Sequence, residues 1–227
     1  IFVVGLGSGV TVGSVLTHPV KEVTCVEISK EVVESAKFFA KENNNCMEDP
    51  KLKMLVEDAH TFMKLTPKQF DVIISEPSNP WIAGIGNLFS VEYFNLCRSK
   101  LKKGGVMLQW FHIYEMDDDI LKLVMNTYRQ AFPYTQVWNP GAGDILMVGS
   151  EEELPMNAED FTKRFNMPAV KKNMEMVGVN TPFSMLSLQM LSQRGFYAVS
   201  DYPEVNSELH PLLEFRAPRS LFKGKND

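Results

Sequence analysis

The sequence is poor in several features that would direct it elsewhere. It holds only three cysteines, Cys25, Cys46 and Cys97, an odd number without C-x-x-C spacing. That argues against a disulfide framework and makes a reducing, cytoplasmic setting the expectation. Its four histidines, His18, His60, His112 and His210, stand far apart with no H-x-H or H-x-x-x-H pairing. No metal site is therefore expected. No run of about twenty apolar residues is present to span a bilayer, and no signal peptide opens the chain. A long basic run is missing too. The formal net charge is −5, and Lys100, Lys102 and Lys103 read as a solvated helix end, so no nucleic-acid partner is expected. What remains, 44% hydrophobic and 22% charged over 227 residues, is the composition of a soluble globular domain able to bury a full core. The sequence begins inside a strand-like run without an initiator methionine, which leads us to expect a domain cut from something longer.

The run Ile1-Phe2-Val3-Val4 passes directly into Gly5-Leu6-Gly7-Ser8-Gly9-Val10. Alternating glycines let the backbone turn tightly and approach a ligand, and the helix that follows aims free N–H groups at it. The spacing G-x-G-x-G differs from the G-x-G-x-x-G of a dinucleotide site, although Gly13 leaves a looser reading open. Glu27 ends the next apolar run, near the offset at which a carboxylate accepts hydrogen bonds from ribose hydroxyls. A merely solvated strand-end glutamate is the alternative.

Beyond this turn, strand and helix patterns alternate. Ser29 reads as the N-cap of a helix to about residue 43, with Val32, Val33, Ala36, Phe39 and Ala40 on its apolar face. Strands are predicted at 53–56, 70–75 and 106–111, and helices at 60–65, 91–101 and 117–132, the last starting in Asp117-Asp118-Asp119 at the positive end of the helix dipole. An antiparallel pair, 135–138 and 145–148, closes the pattern. This is an α/β chain with a doubly wound, mostly parallel sheet over 1–150, and ligands of such sheets sit at the carboxyl ends of the strands. Residues 151–227, broken by Pro155, Pro168 and Pro182, read as a helical cover and tail without assigned chemistry.

The reversed last strand makes the core similar to the class I S-adenosylmethionine-dependent transferases, a Rossmann-like fold with a seven-stranded sheet. That resemblance implies that Gly5, Gly7, Ser8 and Gly9 hold the methionine portion of the cofactor and that Glu27 binds its ribose. It further implies that Asp58-Ala59 receives the adenine amino group and that Ile28 lies against the ring. Asp58 could equally cap the helix that follows, and both roles are compatible.

Phe70-Asp71-Val72-Ile73-Ile74-Ser75-Glu76-Pro77-Ser78-Asn79-Pro80-Trp81 resembles the spermidine synthase (polyamine aminopropyltransferase) family, and the likeness continues through 87–94 and 101–106. It implies that Glu76 is the base for the attacking amine beside the cofactor. Asn79, Trp81 and Tyr114 are the candidates to shape the acceptor pocket, Trp81 either as a cation–π surface or as a packing lid, and Asp117 is a further candidate anion. The implied activity is aminopropyl transfer from decarboxylated S-adenosylmethionine to a small-molecule amine in polyamine biosynthesis, by a homodimer. The chain departs from the family pattern at Ser8 and Asn79, where the synthases carry aspartates. Three readings stay open: an aminopropyltransferase, a methyltransferase using intact S-adenosylmethionine, which Ser8 favours, and a non-catalytic cofactor-binding domain. The family's small amino-terminal β-domain is absent from this sequence. Residues 206–219 resemble the ending of a bacterial subgroup in which a synthase-like domain follows a membrane-embedded region, so the chain is expected to be the soluble domain of a longer membrane protein.

Overall fold

The computed structural model describes residues 1–223. The first strand, β1 (Phe2–Val4), enters the glycine turn and then α1 (Val10–Leu16). Next come β2 (Val23–Glu27), α2 (Lys30–Ser35), β3 (Leu52–Val56), α3 (Ala59–Leu65) and β4 (Phe70–Ser75). They are followed by α4 (Val91–Ser99), β5 (Leu101–His112), α5 (Asp118–Ala131), β6 (Tyr134–Gly141) and β7 (Asp144–Ser150). The strands pair in the order β3-β2-β1-β4-β5-β7-β6, parallel up to β5 and antiparallel beyond it. An eighth strand, β8 (Gln189–Leu191), adds to the edge through β6. It comes from the segment expected to be wholly helical, where α6 (Ala158–Phe165), α7 (Pro168–Met176), α8 (Pro182–Leu186), α9 (Gln193–Val199) and α10 (Leu212–Lys223) otherwise lie. Three residues with a single polar-to-apolar alternation are too short a run to announce a strand.

Both faces of the sheet are covered, as the near-continuous apolar runs of the parallel strands require. Phe2, Val4 and Ile73 face a core shared with Met63, Phe94 and Tyr128 of α3, α4 and α5, while Val3, Cys25 and Ile74 face Val12 and Leu16 of α1. Predicted caps form as read at Ser29, whose Oγ accepts the N–H of Val32, and at Asp58, which accepts that of Thr61; Asp117, read as the first helical residue at the dipole's positive end, instead caps the helix by accepting the N–H of Ile120. The helix expected to reach residue 43 instead ends at Ser35 and tightens into a 3-10 turn. Asn43 explains the change. Its buried amide donates to the carbonyls of Ala36 and Ser8, so the chain folds back beneath the glycine turn and leaves Phe39 exposed. Among the described residues no helix is long and apolar enough to cross a membrane.

Ser90 caps α4 with unusual economy: its hydroxyl accepts the N–H of Tyr93 at 3.1 Å and donates to the carbonyl of Asn87 at 2.9 Å, fully buried. Ser90→Ala removes both bonds and should lower stability by about 1–2 kcal/mol. Urea unfolding should show this as a lower midpoint with an unchanged slope.

Candidate active site

The order β3-β2-β1-β4 places the switch point of the sheet between β1 and β4, and the carboxyl ends of these strands open into one cavity of about 490 Å³. That volume suits a nucleoside-sized ligand. Gly5, Gly7, Glu27, Ile28, Asp58, Ala59 and Glu76 all line it. Seven residues drawn from Gly5 to Glu76 thus meet where strand order reverses.

The glycine turn is shaped for close approach. Gly5 has φ +86°, and a Cβ there would stand 2.5 Å from the carbonyl oxygen of Glu76. Only glycine lets β1 and β4 close on each other at this point. Gly7 has φ +53° and open space beside it, the opening a ligand needs. Gly9 and Ser8 do not line the cavity. Gly9 packs its Cα side against Asn43 and Cys46, and Ser8 offers its carbonyl to Asn43 Nδ2 at 2.9 Å. Their place is beneath the turn, where they support its shape.

Glu27 is held from two sides. Its Oε2 accepts the N–H of Leu6 and its Oε1 that of Ser29, each at 3.0 Å, which ties the glycine turn to the end of β2 and fixes the carboxylate plane. Each oxygen keeps a further acceptor site toward the cavity, the arrangement that two neighbouring hydroxyls require. Ile28 stands beside it 73% exposed, an apolar face at the cavity rim with Val32 nearby. Asp58 does cap α3, through Oδ1 at 2.7 Å from Thr61 N, and also lines the cavity. Burial opposes its ionisation, yet the hydrogen bonds from Thr61 and the proximity of His60 outweigh this and hold its carboxyl below the ordinary value.

Glu76 accepts the hydroxyl of Thr11 at 2.8 Å. Burial raises its pKa, the Thr11 bond partly offsets this, and the charge of Asp144 raises it further. Glu76 and Pro77 also line a second cleft of about 420 Å³ with Trp110, Pro140, Asp144 and Leu146. Glu76 and Pro77 are therefore shared by both spaces, and Glu76 is the ionisable one of the two. Trp81 and Tyr114 come together through His112. Trp81 meets the imidazole edge-on with centroids 4.5 Å apart, and Tyr114 stacks on it at 4.4 Å. Asn79 lines neither space and turns the chain, its carbonyl accepting the N–H of Ile82 at 3.0 Å. Asp117 serves α5 as its N-cap.

Three contributions escaped the sequence reading. Thr11 is the second residue of α1, where nothing in the pattern marks it as a partner of Glu76. Asp144 reads as a loop residue, because only the β5–β7 register shows it opposite His112. The third is the outer wall. Gly84 and Gly86, in the loop that closes the cavity, donate their N–H groups to Glu214 of α10 at 2.8 and 3.3 Å, and Asn206 donates to the carbonyls of Gly86 and Phe89. The tail thus holds the loop against the cofactor-sized cavity. Glu214→Ala removes two charge-assisted bonds and should loosen that loop by about 1–2 kcal/mol. Nucleoside affinity measured by calorimetry should fall roughly fivefold to thirtyfold.

Residues 1–140 match the family model described as the spermine/spermidine synthase domain. The chain belongs to the spermine/spermidine synthase family. It is 25% identical over 174 residues to the polyamine aminopropyltransferase of Korarchaeum cryptofilum, covering 73% of this chain and 54% of that one. It is 30% identical over 156 residues to the spermidine synthase of Dictyostelium discoideum, covering 64% and 53%. The chain spans about half the length of these two relatives. The crystal structure of spermidine synthase from Thermotoga maritima superposes with a TM-score of 0.64 at 21% identity, covering 89% of this chain and 65% of that one. Human methyltransferase-like protein 13 in complex with SAH gives 0.60 at 16% identity, covering 77% and 81%. These likenesses bear out the methyltransferase-like α/β fold of this synthase-family member.

Proposed function

We propose that this synthase-family chain binds decarboxylated S-adenosylmethionine and moves its aminopropyl group to the amine of a small polyamine. The observation that carries this reading is the placement of Glu76 on the border between a nucleoside-sized cavity and a second, carboxylate-bearing cleft. Further support comes from the relatives named polyamine aminopropyltransferase and from a spermidine synthase of similar fold crystallised with the transition-state analogue AdoDATO, TM-score 0.62.

The residues present fit such a cofactor: the open side of Gly7, the fixed Glu27 carboxylate and the exposed Ile28 face follow one another along the cavity. Glu27 would bind the ribose hydroxyls, Asp58 and the backbone of Ala59 the adenine amino edge, and Ile28 the ring face. When bound, the cofactor supplies a propyl carbon attached to a sulfonium, so that a carbon–nitrogen bond forms as the carbon–sulfur bond breaks and the electron pair leaves on a neutral thioether. Glu76 takes the proton that the attacking ammonium must lose. Its raised pKa makes it a stronger base than an ordinary glutamate. Orientation of the two reactants supplies most of the remaining rate. The buried free cysteines suit action in a reducing cytoplasm, and a homodimer is the proposed assembly.

Ser8 favours a second reading, methyl transfer from the intact cofactor. The uncharged side chain leaves no anion in the turn to attract the ammonium of the decarboxylated form or to repel the carboxylate of the intact one. Calorimetric titration with each cofactor decides between them. Tighter binding of the decarboxylated form is expected; tighter binding of intact S-adenosylmethionine points to methyl transfer, and binding of neither to a domain with another ligand.

A further inference from the structure

The second cleft carries two carboxylates without a cation. Neither Glu76 nor Asp144 forms an ion pair among the described residues, and Oδ1 of Asp144 is buried with no hydrogen-bond partner. Directly across the β5–β7 pair from Asp144 stands His112, fully buried, with both ring nitrogens unpartnered. Paired residues of an antiparallel ladder project to the same face, so the imidazole, buried and outside the cleft lining, lies on the same side of the sheet as the carboxylate, with Trp110 and Leu146, which do line the cleft, as the next pair along it. Burial keeps His112 neutral, its pKa pushed down to about 4, so one of its nitrogens is an acceptor. Unsatisfied buried acceptors on one face of a sheet are a cost in the free protein that a donor-rich ligand removes.

An ammonium group is such a ligand: it has three donors and a positive charge, and it packs well against indole and phenol rings. Trp110 walls the cleft, and Trp81 and Tyr114 flank the imidazole. Among the described residues no group of three His, Cys, Asp or Glu side chains is placed to hold a metal ion, so the charge suits an organic cation. The two carboxylates also differ in position. Glu76 lines both spaces, whereas Asp144 lines the second cleft alone.

We propose that Asp144, with His112 across from it, is the subsite for the ammonium at the end of the acceptor remote from the cofactor, and so selects diamines over monoamines. Asp144 thereby supplies from β7 the second anion that Asn79 does not supply from the loop after β4. The inference rests on the aminopropyl-transfer reading for the identity of the acceptor but is tested by binding alone. Putrescine and its one-charge isostere n-butylamine are titrated calorimetrically into the whole chain saturated with 5′-methylthioadenosine, as parent, as Asp144→Asn and, should that variant fail to fold, as Asp144→Ser. The preference for putrescine over n-butylamine is expected to fall at least tenfold in the variant, with nucleoside affinity unchanged. An unaltered preference, equal weakening of both amines, or no binding of putrescine to the parent would overturn the proposal. Asp144-dependent putrescine binding without any turnover of the decarboxylated cofactor would leave the subsite standing and remove the transferase reading.

Discussion

Glu76→Gln should reduce aminopropyl transfer by about 10²- to 10⁴-fold, the usual worth of a positioned general base, while nucleoside affinity stays near that of the parent. The same substitution should make the protein more stable at neutral pH. Burial, then the charge of Asp144, raises the Glu76 pKa against the counteracting Thr11 bond. The folded chain therefore holds this proton more tightly than the unfolded chain does. Above the raised pKa the ionised carboxylate costs stability in full; the cost fades as pH falls through that raised value and is gone below the unfolded value near 4.3. Glutamine keeps an oxygen for the Thr11 hydroxyl and carries no charge. Thermal unfolding should place the variant above the parent at pH 7.5 and level with it at pH 4. Loss of activity together with loss of stability at pH 7.5 would instead mean that Glu76 holds the site together. The acid limb of the pH–rate profile should likewise lie above that of an unperturbed glutamate, since activity requires the ionised form.

The second large effect belongs to Gly5. Gly5→Ala forces a side chain into a φ of +86° and sets its Cβ 2.5 Å from the Glu76 carbonyl oxygen, against a backbone held by the Glu76 N–H to Val4 bond of 3.0 Å. The left-handed conformation costs about 1–2 kcal/mol and the overlap about 1–3 kcal/mol more. Together these predict a fall in Tm of about 4–20 °C for a chain of this size. Gly7→Ala is the internal control: its φ is +53° but nothing lies within 4 Å, so only the backbone term applies. Equal losses in the two variants would show that the contact between β1 and β4 contributes nothing. Gly5→Ala should also lower transfer activity beyond its effect on stability, because relief of the overlap moves the end of β4 that carries Glu76.

Much of this could be read from the residue order, because it is local. Strand runs ending in Val4, Glu27 and Ser75, the caps at Ser29 and Asp58, and the glycine turn are each written in a few adjacent residues. The convergence of Glu27, Asp58 and Glu76 follows from the doubly wound topology that those runs imply. What escaped is set by pairing at a distance. Asn43 folds back to Ala36 and Ser8 and stops a helix whose apolar spacing continues. The register of β5 on β7 brings Asp144 opposite His112, and a shift of one residue would have sent it to the other face. Glu214 reaches Gly84 across 130 residues of sequence. No local pattern marks a glutamate for that contact, and the tail could be read only as a cover. Asn79 illustrates the reverse case, a position singled out by family likeness whose backbone turns the loop.

The most direct test is product analysis by mass spectrometry after incubation with putrescine and decarboxylated S-adenosylmethionine, and separately with the intact cofactor. Equal amounts of spermidine and 5′-methylthioadenosine from the decarboxylated form are predicted, with no methylated amine from the intact one. Methylated putrescine, or no transfer from the decarboxylated cofactor, would contradict the account.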